Sequence, residues 1–425
     1  MKPIFALIDC NAFFVSCERV FQPHLEGKPV IILSSNDGCA ISRSNEAKAL
    51  GIKMGVPLFK IKDIVEKNNI HVFSSNFSLY GDMSSRVMRV LKTVAPSLEI
   101  YSIDEAFLDF SFLPHHELLM HGCHIKELVK QWTGIPVSVG IAPTKTLAKI
   151  ANYIAKQNDP GCCVLLEPHK IEEVLKTFPL QEVWGIGSQW SQKLSRFGIN
   201  TGFDLARADL GWLQKTFNII LARTALELKG TSCLSLENTA SPKKTMISSR
   251  SFGIPVSSFD MLREAVSFHA STLARRLRQE KSKTSLLSVS IRTNPYDKKG
   301  RNYSNSETVF LSFPSQDTSL LIKAAIAGLE KIFKEGLCYK KVGITALNLS
   351  PESQTLPTLF ANEDFDDSPK RKALLKTVDH LNQLYGKGAL VFASEGLGKT
   401  WRPKAICKSF AYTQRWDQLM RVGEL

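Results

Sequence analysis

Residues 98–110 read LEIYSIDEAFLDF. Two apolar runs flank Ser102, Asp104 and Glu105, so the segment predicts a β-hairpin with adjacent carboxylates at its tip. A second apolar run, IFALID at 4–9, predicts a buried strand that ends in Asp9. Three carboxylates at strand ends can converge on one point. That is the oxygen donor set hard divalent cations such as Mg²⁺ take. Solvated turn carboxylates are the alternative, because an Asp closing an apolar strand is common.

Working outward, PVIIL at 29–33 and VSVGI at 137–141 read as buried strands, with a turn at Ser34 to Gly38. Helices are predicted after Asp9, over 44–50, over 79–94 and over 144–156. The third puts Met83, Val87, Met88 and Leu91 on one face, and the last carries Lys145, Lys149 and Lys156. Strands and helices mixed this way indicate an α+β domain. Residues 179–210 read as short helices around Gly185–Ile186–Gly187 and Gly198, the pattern of a helix-hairpin-helix. Gly185 and Gly187 would let backbone N–H groups approach a phosphate. Polar residues over 231–243 read as a linker.

Beyond the linker the order is strand 246–253, helix 259–281, strand 285–293, strand 306–313, helix 317–335 and strand 342–349. That is the split βαβ, ferredoxin-like arrangement. In SLLSVSIRT, Leu287, Val289 and Ile291 alternate with Ser288, Ser290 and Arg292, which predicts an inward and an outward face. A helix near 369–385 and a Gly-rich end complete the chain.

The 425 residues hold 54 Lys+Arg against 40 Asp+Glu, a formal charge of +14. The excess is local: 18 basic and 8 acidic residues lie in 242–350, against 25 and 23 in 1–241. A basic module beside a nearly neutral one points to a polyanionic partner. Nine scattered Cys without a CxxC pair fit a reducing compartment, and no run is long and apolar enough for a membrane helix. A cytoplasmic protein is expected.

Five runs then occur in order: IDCNAFFVSCE (8–18), GCAISRSNEAKALGIKMGVP (38–57), YGDMSSRV (80–87), YSIDEAFLD (101–109) and SVGIAPTKTLAKIAN (138–152). Together they resemble the Y-family translesion DNA polymerases, most of all the UmuC-type branch. The likeness covers about 1–350, and the tail, with SQTLPTLFANE and SFAYTQRWDQL, is also UmuC-like. The resemblance implies a multidomain α+β, right-hand polymerase. Its parts would be a ferredoxin-like palm (1–20 and 77–168), small fingers (21–76), a helix-hairpin-helix thumb (169–241), a split-βαβ little finger (242–350) and a tail (351–425).

It also implies site residues. Asp9, Asp104 and Glu105 would hold two Mg²⁺, with Mn²⁺ as a substitute and the Cys10 carbonyl as a further ligand. Phe14, five residues past Asp9, would be the steric gate that excludes a ribose 2′-OH. Its neighbour Phe13 reads as a pocket or core ring. Ser42, Asn45, Lys48 and Lys156 would meet the triphosphate, although the first three depart from the residues many family members carry. Lys145 and Lys149 read as a solvated helix face or DNA contacts. Arg250, Arg275 and Arg292 would join Gly185 and Gly187 in gripping DNA.

Leu356, Leu359 and Phe360 resemble a sliding-clamp peptide with altered spacing. The implied partners are primer-template DNA, a deoxynucleoside triphosphate, a UmuD′-like dimer, RecA and the clamp. The alternatives are a catalytically silent DNA-binding subunit and a nucleotide cyclase on a related palm. Gly396 to Thr400 lacks the first glycine of a P-loop, and His115, His116, His121, Cys123 and His124 fit no standard zinc spacing.

Overall fold

A computed structural model describes residues 3–237, 242–297, 301–354, 369–386, 388–398 and 401–419. The expected clamp peptide at Leu356, Leu359 and Phe360 lies outside the described residues. The chain forms two compact units. One comprises Met1–Ser34, Gly38–Ala240 and Cys407–Leu425, and the other Ser35–Asp37 and Ser241–Ile406.

The first unit is built on a five-stranded sheet. Its order is Leu98–Ile100, Glu105–Asp109, Phe5–Cys10, Val137–Ala142 and Cys162–Val164. The pairings are antiparallel except the last, which is parallel. The central strand has apolar residues on both faces and is buried throughout. Successive side chains point to opposite faces. Ala6, Ile8 and Cys10 join one core with the helices Phe13–Phe21, Phe77–Val94 and Leu118–Thr133. Phe5 and Leu7 join another with the helix Lys145–Ala155 and the short helices beyond Pro168. Asp9 follows Leu7 on that second face, so period two aims it towards the lysine-bearing helix.

That helix lies very close to the sheet at Gly140, where a Cβ would overlap the backbone of Ala148 and Asn152. A smaller sheet, ordered Ala40–Arg43, Val30–Leu33 and His71–Ser74, has its own core of Ile31, Leu33, Ala40, Ala47, Ile52, Ile61 and Ile70. Five helices follow, from Pro168–Thr177 to Ile219–Leu228. Thr201 with Asp204 forms a capping box, and Asp209 and Asn218 cap the two helices after it.

The second unit has an antiparallel sheet ordered Ser304–Ser315, Ser282–Thr293, Tyr339–Pro351 and Met246–Val256. Helices Phe259–Gln279 and Thr318–Ile332 share its core with Leu287, Val289 and Ile291, as the alternation predicts. The tail helix Pro369–Leu384 joins this unit through ion pairs, Arg278 with Asp379 at 2.7 Å and Arg371 with Asp317 at 2.7 Å. Trp401 is buried in the same core beside Phe252 and Phe268.

Candidate active site

Asp9 and Glu105 are direct partners across two antiparallel strands. The Cys10 N–H donates to the Asp104 carbonyl at 2.9 Å, which locks Asp104 to the same strand end. Ser102 shapes the hairpin tip. Its hydroxyl donates to Asp104 Oδ1 at 2.6 Å and accepts the Glu105 N–H at 3.0 Å. Asp9 and Glu105 are therefore side by side on the sheet, and the Asp104 backbone is tied to the same strand end.

Two lysines face these carboxylates. Lys156 Nζ donates to Asp9 Oδ2 at 2.7 Å, and Lys149 Nζ donates to Glu105 Oε1 at 2.8 Å. Burial first, and the Glu105 carboxylate to a smaller extent, raise the Asp9 pKa from 3.8 to about 6 against the pull of Lys156. Burial, then the charges of Asp9 and Asp104, hold the Cys10 thiol well above its ordinary range, so it is no nucleophile. Among the described residues, no three His, Cys, Asp or Glu side chains are gathered into a group ready to hold a metal ion. The donor set still fits a hard cation. It is all oxygen, the chemistry such an ion takes.

Phe13 and Phe14 part company. Phe13 is buried in the core. Phe14 is half-buried and stacks on Tyr80 with ring centroids 4.5 Å apart, with the edge of Phe77 at 5.9 Å. Ser42 is buried in its strand. Asn45 and Lys48 sit on the short helix Asn45–Ala49, where Lys48 donates to Asn45 Oδ1 at 3.0 Å. Burial lowers the Lys48 pKa, and the positive charges of Arg43 and Lys156 lower it further. Lys48, Arg43 and Lys156 thus form one positive region near Asp9. Arg43 was not singled out from the sequence, where its strand is only four residues long.

The lysine-bearing helix corrects an expectation. Lys145 is buried, paired with Glu99 and placed over the Phe107 ring, so it is neither solvated nor free for DNA. Breaking such a buried pair costs about 3–5 kcal/mol. Lys149, read the same way, is half-buried and paired with Glu105. It lies 4.6 Å from the Tyr101 ring centroid and 5.5 Å from that of Trp184. Trp184 Nε1 in turn donates to Tyr101 Oη at 3.1 Å. Tyr101 and Trp184 were not expected here. The only signal was their position beside SIDE and before Gly185.

Gly185 has a φ of +86° and Gly187 caps the helix Ser188–Ser195. A Cβ at either would meet nothing within 4 Å, so both backbones are open to approach. The three arginines of the second unit do not share a face. Arg250 pairs across strands with Val342, on the helix side of the sheet, and adds to the charge felt by His269. Arg275 lies on a helix of that side, whereas Arg292 is opposite Lys341 on the other face. Arg250 and Arg292 are exposed.

Family models match the chain in three places. One for the impB/mucB/samB family matches 8–153, and one for that family's C-terminal domain matches 243–359. A third, for a domain of unknown function, matches 372–422. Protein ImpB of Salmonella typhimurium is 41% identical, over 99% of this chain and 100% of its own length. Protein UmuC of Salmonella typhimurium strain LT2 is 40% identical over 99% and 100%. DNA polymerase IV of Bacillus velezensis is 26% identical over 91% and 93%. A solved Y-family DNA polymerase chimera superposes with a TM-score of 0.65 at 22% identity, covering 82% of this chain and 99% of that one, a likeness of fold.

Proposed function

The chain belongs to the impB/mucB/samB family, and on that premise we propose that it is a UmuC-like, error-prone, template-directed DNA polymerase that copies damaged template in the bacterial SOS response. The observation that carries the reading is the side-by-side placement of Asp9 and Glu105 on paired strands, with Asp104 held beside them. Asp9, Asp104 and Glu105, with the Cys10 carbonyl, would hold two divalent cations, Mg²⁺ or Mn²⁺ in its place. Bound there, such ions would supply charge neutralisation for transfer of the nucleotidyl group from a deoxynucleoside triphosphate to a primer 3′-hydroxyl, with pyrophosphate as the leaving group.

The residues of the chain position and select. Lys156 exchanges its pairing with Asp9 for the triphosphate, joined by Lys48, Asn45 and Ser42. Lys gives a point charge where an Arg would give a fork, so this grip tolerates angular change in the phosphates. The Phe14 ring closes the space beside the sugar and selects against a 2′-OH. Gly185 and Gly187 in the thumb and Arg292 on the open face of the little-finger sheet hold the DNA backbone without reading sequence, whereas Arg250 and Arg275, on the helix side, are not part of that surface. The domain ranges expected from the resemblance are retained in this reading. The working context is the cytoplasm, with a UmuD′-like dimer, RecA and a sliding clamp met through Leu356, Leu359 and Phe360.

The test is primer extension by the full chain across a template abasic site, with and without a UmuD′-like partner and RecA. Insertion and extension past the site supports the reading. Failure on undamaged and damaged template alike, with partners present and DNA bound, overturns it in favour of a silent DNA-binding subunit.

A further inference from the structure

The stretch Cys407 to Tyr412 falls inside the match to a domain of unknown function, yet it is built into the first unit. The Ser74 N–H donates to the Cys407 carbonyl at 2.9 Å, and the Cys407 N–H donates to Ser74 Oγ at 3.0 Å. Asn76, buried two residues on, donates through Nδ2 to Ser409 Oγ at 3.0 Å and to the Phe410 carbonyl at 3.2 Å. Ser74 and Asn76 lead directly into the helix Phe77–Val94, which presents Phe77 and Tyr80 to Phe14. Tyr412 stacks on Phe21, centroids 4.8 Å apart, at the far end of the helix that carries Phe14.

The two helices and the tail meet at Glu18. This carboxylate is fully buried, and Oε1 accepts from Tyr80 Oη at 2.8 Å and from Ser409 Oγ at 3.0 Å. Its Oε2 has no hydrogen bond among the described residues, and burial raises its pKa. A buried acid held by two neutral hydroxyls is costly for stability alone. What it does geometrically is fix the Tyr80 ring, on whose face Phe14 rests.

We propose that Cys407 to Tyr412 is the outer brace of the sugar-selecting wall, with Ser409, Glu18 and Tyr80 as positioning residues that hold Phe14 through one continuous line of contacts. This rests on the reading of Phe14 as the ring beside the sugar. It gives part of the tail's unassigned domain a role in substrate choice. A net hydrogen bond of ordinary strength sets the scale of the effect at about 3- to 10-fold.

The experiment measures the ratio of ribonucleotide to deoxynucleotide insertion by the full chain on primer-template, with thermal stability recorded alongside. Tyr80→Phe keeps the ring and removes only the hydroxyl, and Ser409→Ala removes only the tail hydroxyl. Each is expected to raise the ratio about 3- to 10-fold, and the double variant to raise it no further than the larger single effect, because both act through Glu18. Ser409→Thr, which keeps a hydroxyl, is expected to restore the ratio. Phe14→Ala is the control for the premise. If Phe14→Ala raises the ratio while Tyr80→Phe and Ser409→Ala leave it unchanged, whether or not stability falls, the brace is overturned and the wall reading survives. If Phe14→Ala itself leaves the ratio unchanged, the wall reading fails and the brace with it.

Discussion

Both units bury charged side chains, Lys283 and Glu395 among those of the second, but they differ in net charge. The first is nearly neutral in sequence, yet it buries Asp9, Glu18, Lys145 and Glu227. Those near the strand ends are held in pairs, Asp9 with Lys156 and Lys145 with Glu99. The second carries most of the positive excess, keeps Arg250 and Arg292 at the surface and buries His269, whose pKa burial lowers to about 4. An uncharged histidine suits that packed core. Net charge therefore locates a surface for a polyanion, whereas chemistry sits where few charges are placed with care.

The strongest way to break this comparison is to remove one charge from each unit. Glu105→Gln is expected to cost on the order of 10³-fold in the rate of nucleotide insertion while leaving DNA affinity within about twofold. Insertion at close to the native rate would detach the carboxylates from the chemistry. Phe14→Ala comes next, with about 10- to 100-fold weaker discrimination against ribonucleotides, read from the two kcat/KM values. In the second unit, Arg292→Ala is expected to weaken DNA binding several-fold at every sequence tested. It should also lower the slope of log affinity against log salt by about 1. A slope that does not change would mean Arg292 meets no phosphate.

The smallest effect concerns stability. The Asp9 pKa rises from 3.8 to about 6 on folding. The folded chain then keeps a proton that the unfolded chain releases, so stability is lost as pH rises through that window. Asp9→Asn in metal-free protein should raise Tm by roughly 2–4 °C near pH 8 and by less near pH 5. A gain independent of pH would mean that Asp9 ionises in the folded chain without strain.

Much of this arrangement was legible in the sequence because it follows local rules. Alternation in SLLSVSIRT set the faces of the second sheet, and the apolar runs around SIDE set the hairpin that places Asp104 and Glu105. What failed depended on distant partners. Lys145 and Lys149, four residues apart, read as a solvated stripe, but the stripe faces Glu99 and Glu105 on the hairpin. The strands Ala40–Arg43 and His71–Ser74 are four residues each, too short for a periodic signal. Glu18 reads as an ordinary charge on a helix, and its burial depends on Tyr80 and on Ser409, 391 residues away. Trp401 and Tyr412 lie in a polar, Gly-rich tail, and only the packing shows them to be core residues.

The account stands or falls on whether the carboxylate end of the first sheet performs metal-dependent, template-directed synthesis. The direct measurement is single-nucleotide insertion opposite each of the four template bases, first with Mg²⁺, then after chelation, then with Mg²⁺ restored. The account predicts that the template base chooses the nucleotide most favoured for insertion, that chelation stops insertion, and that Mg²⁺ restores it. Insertion that ignores the template, or that continues undiminished after chelation, would contradict it.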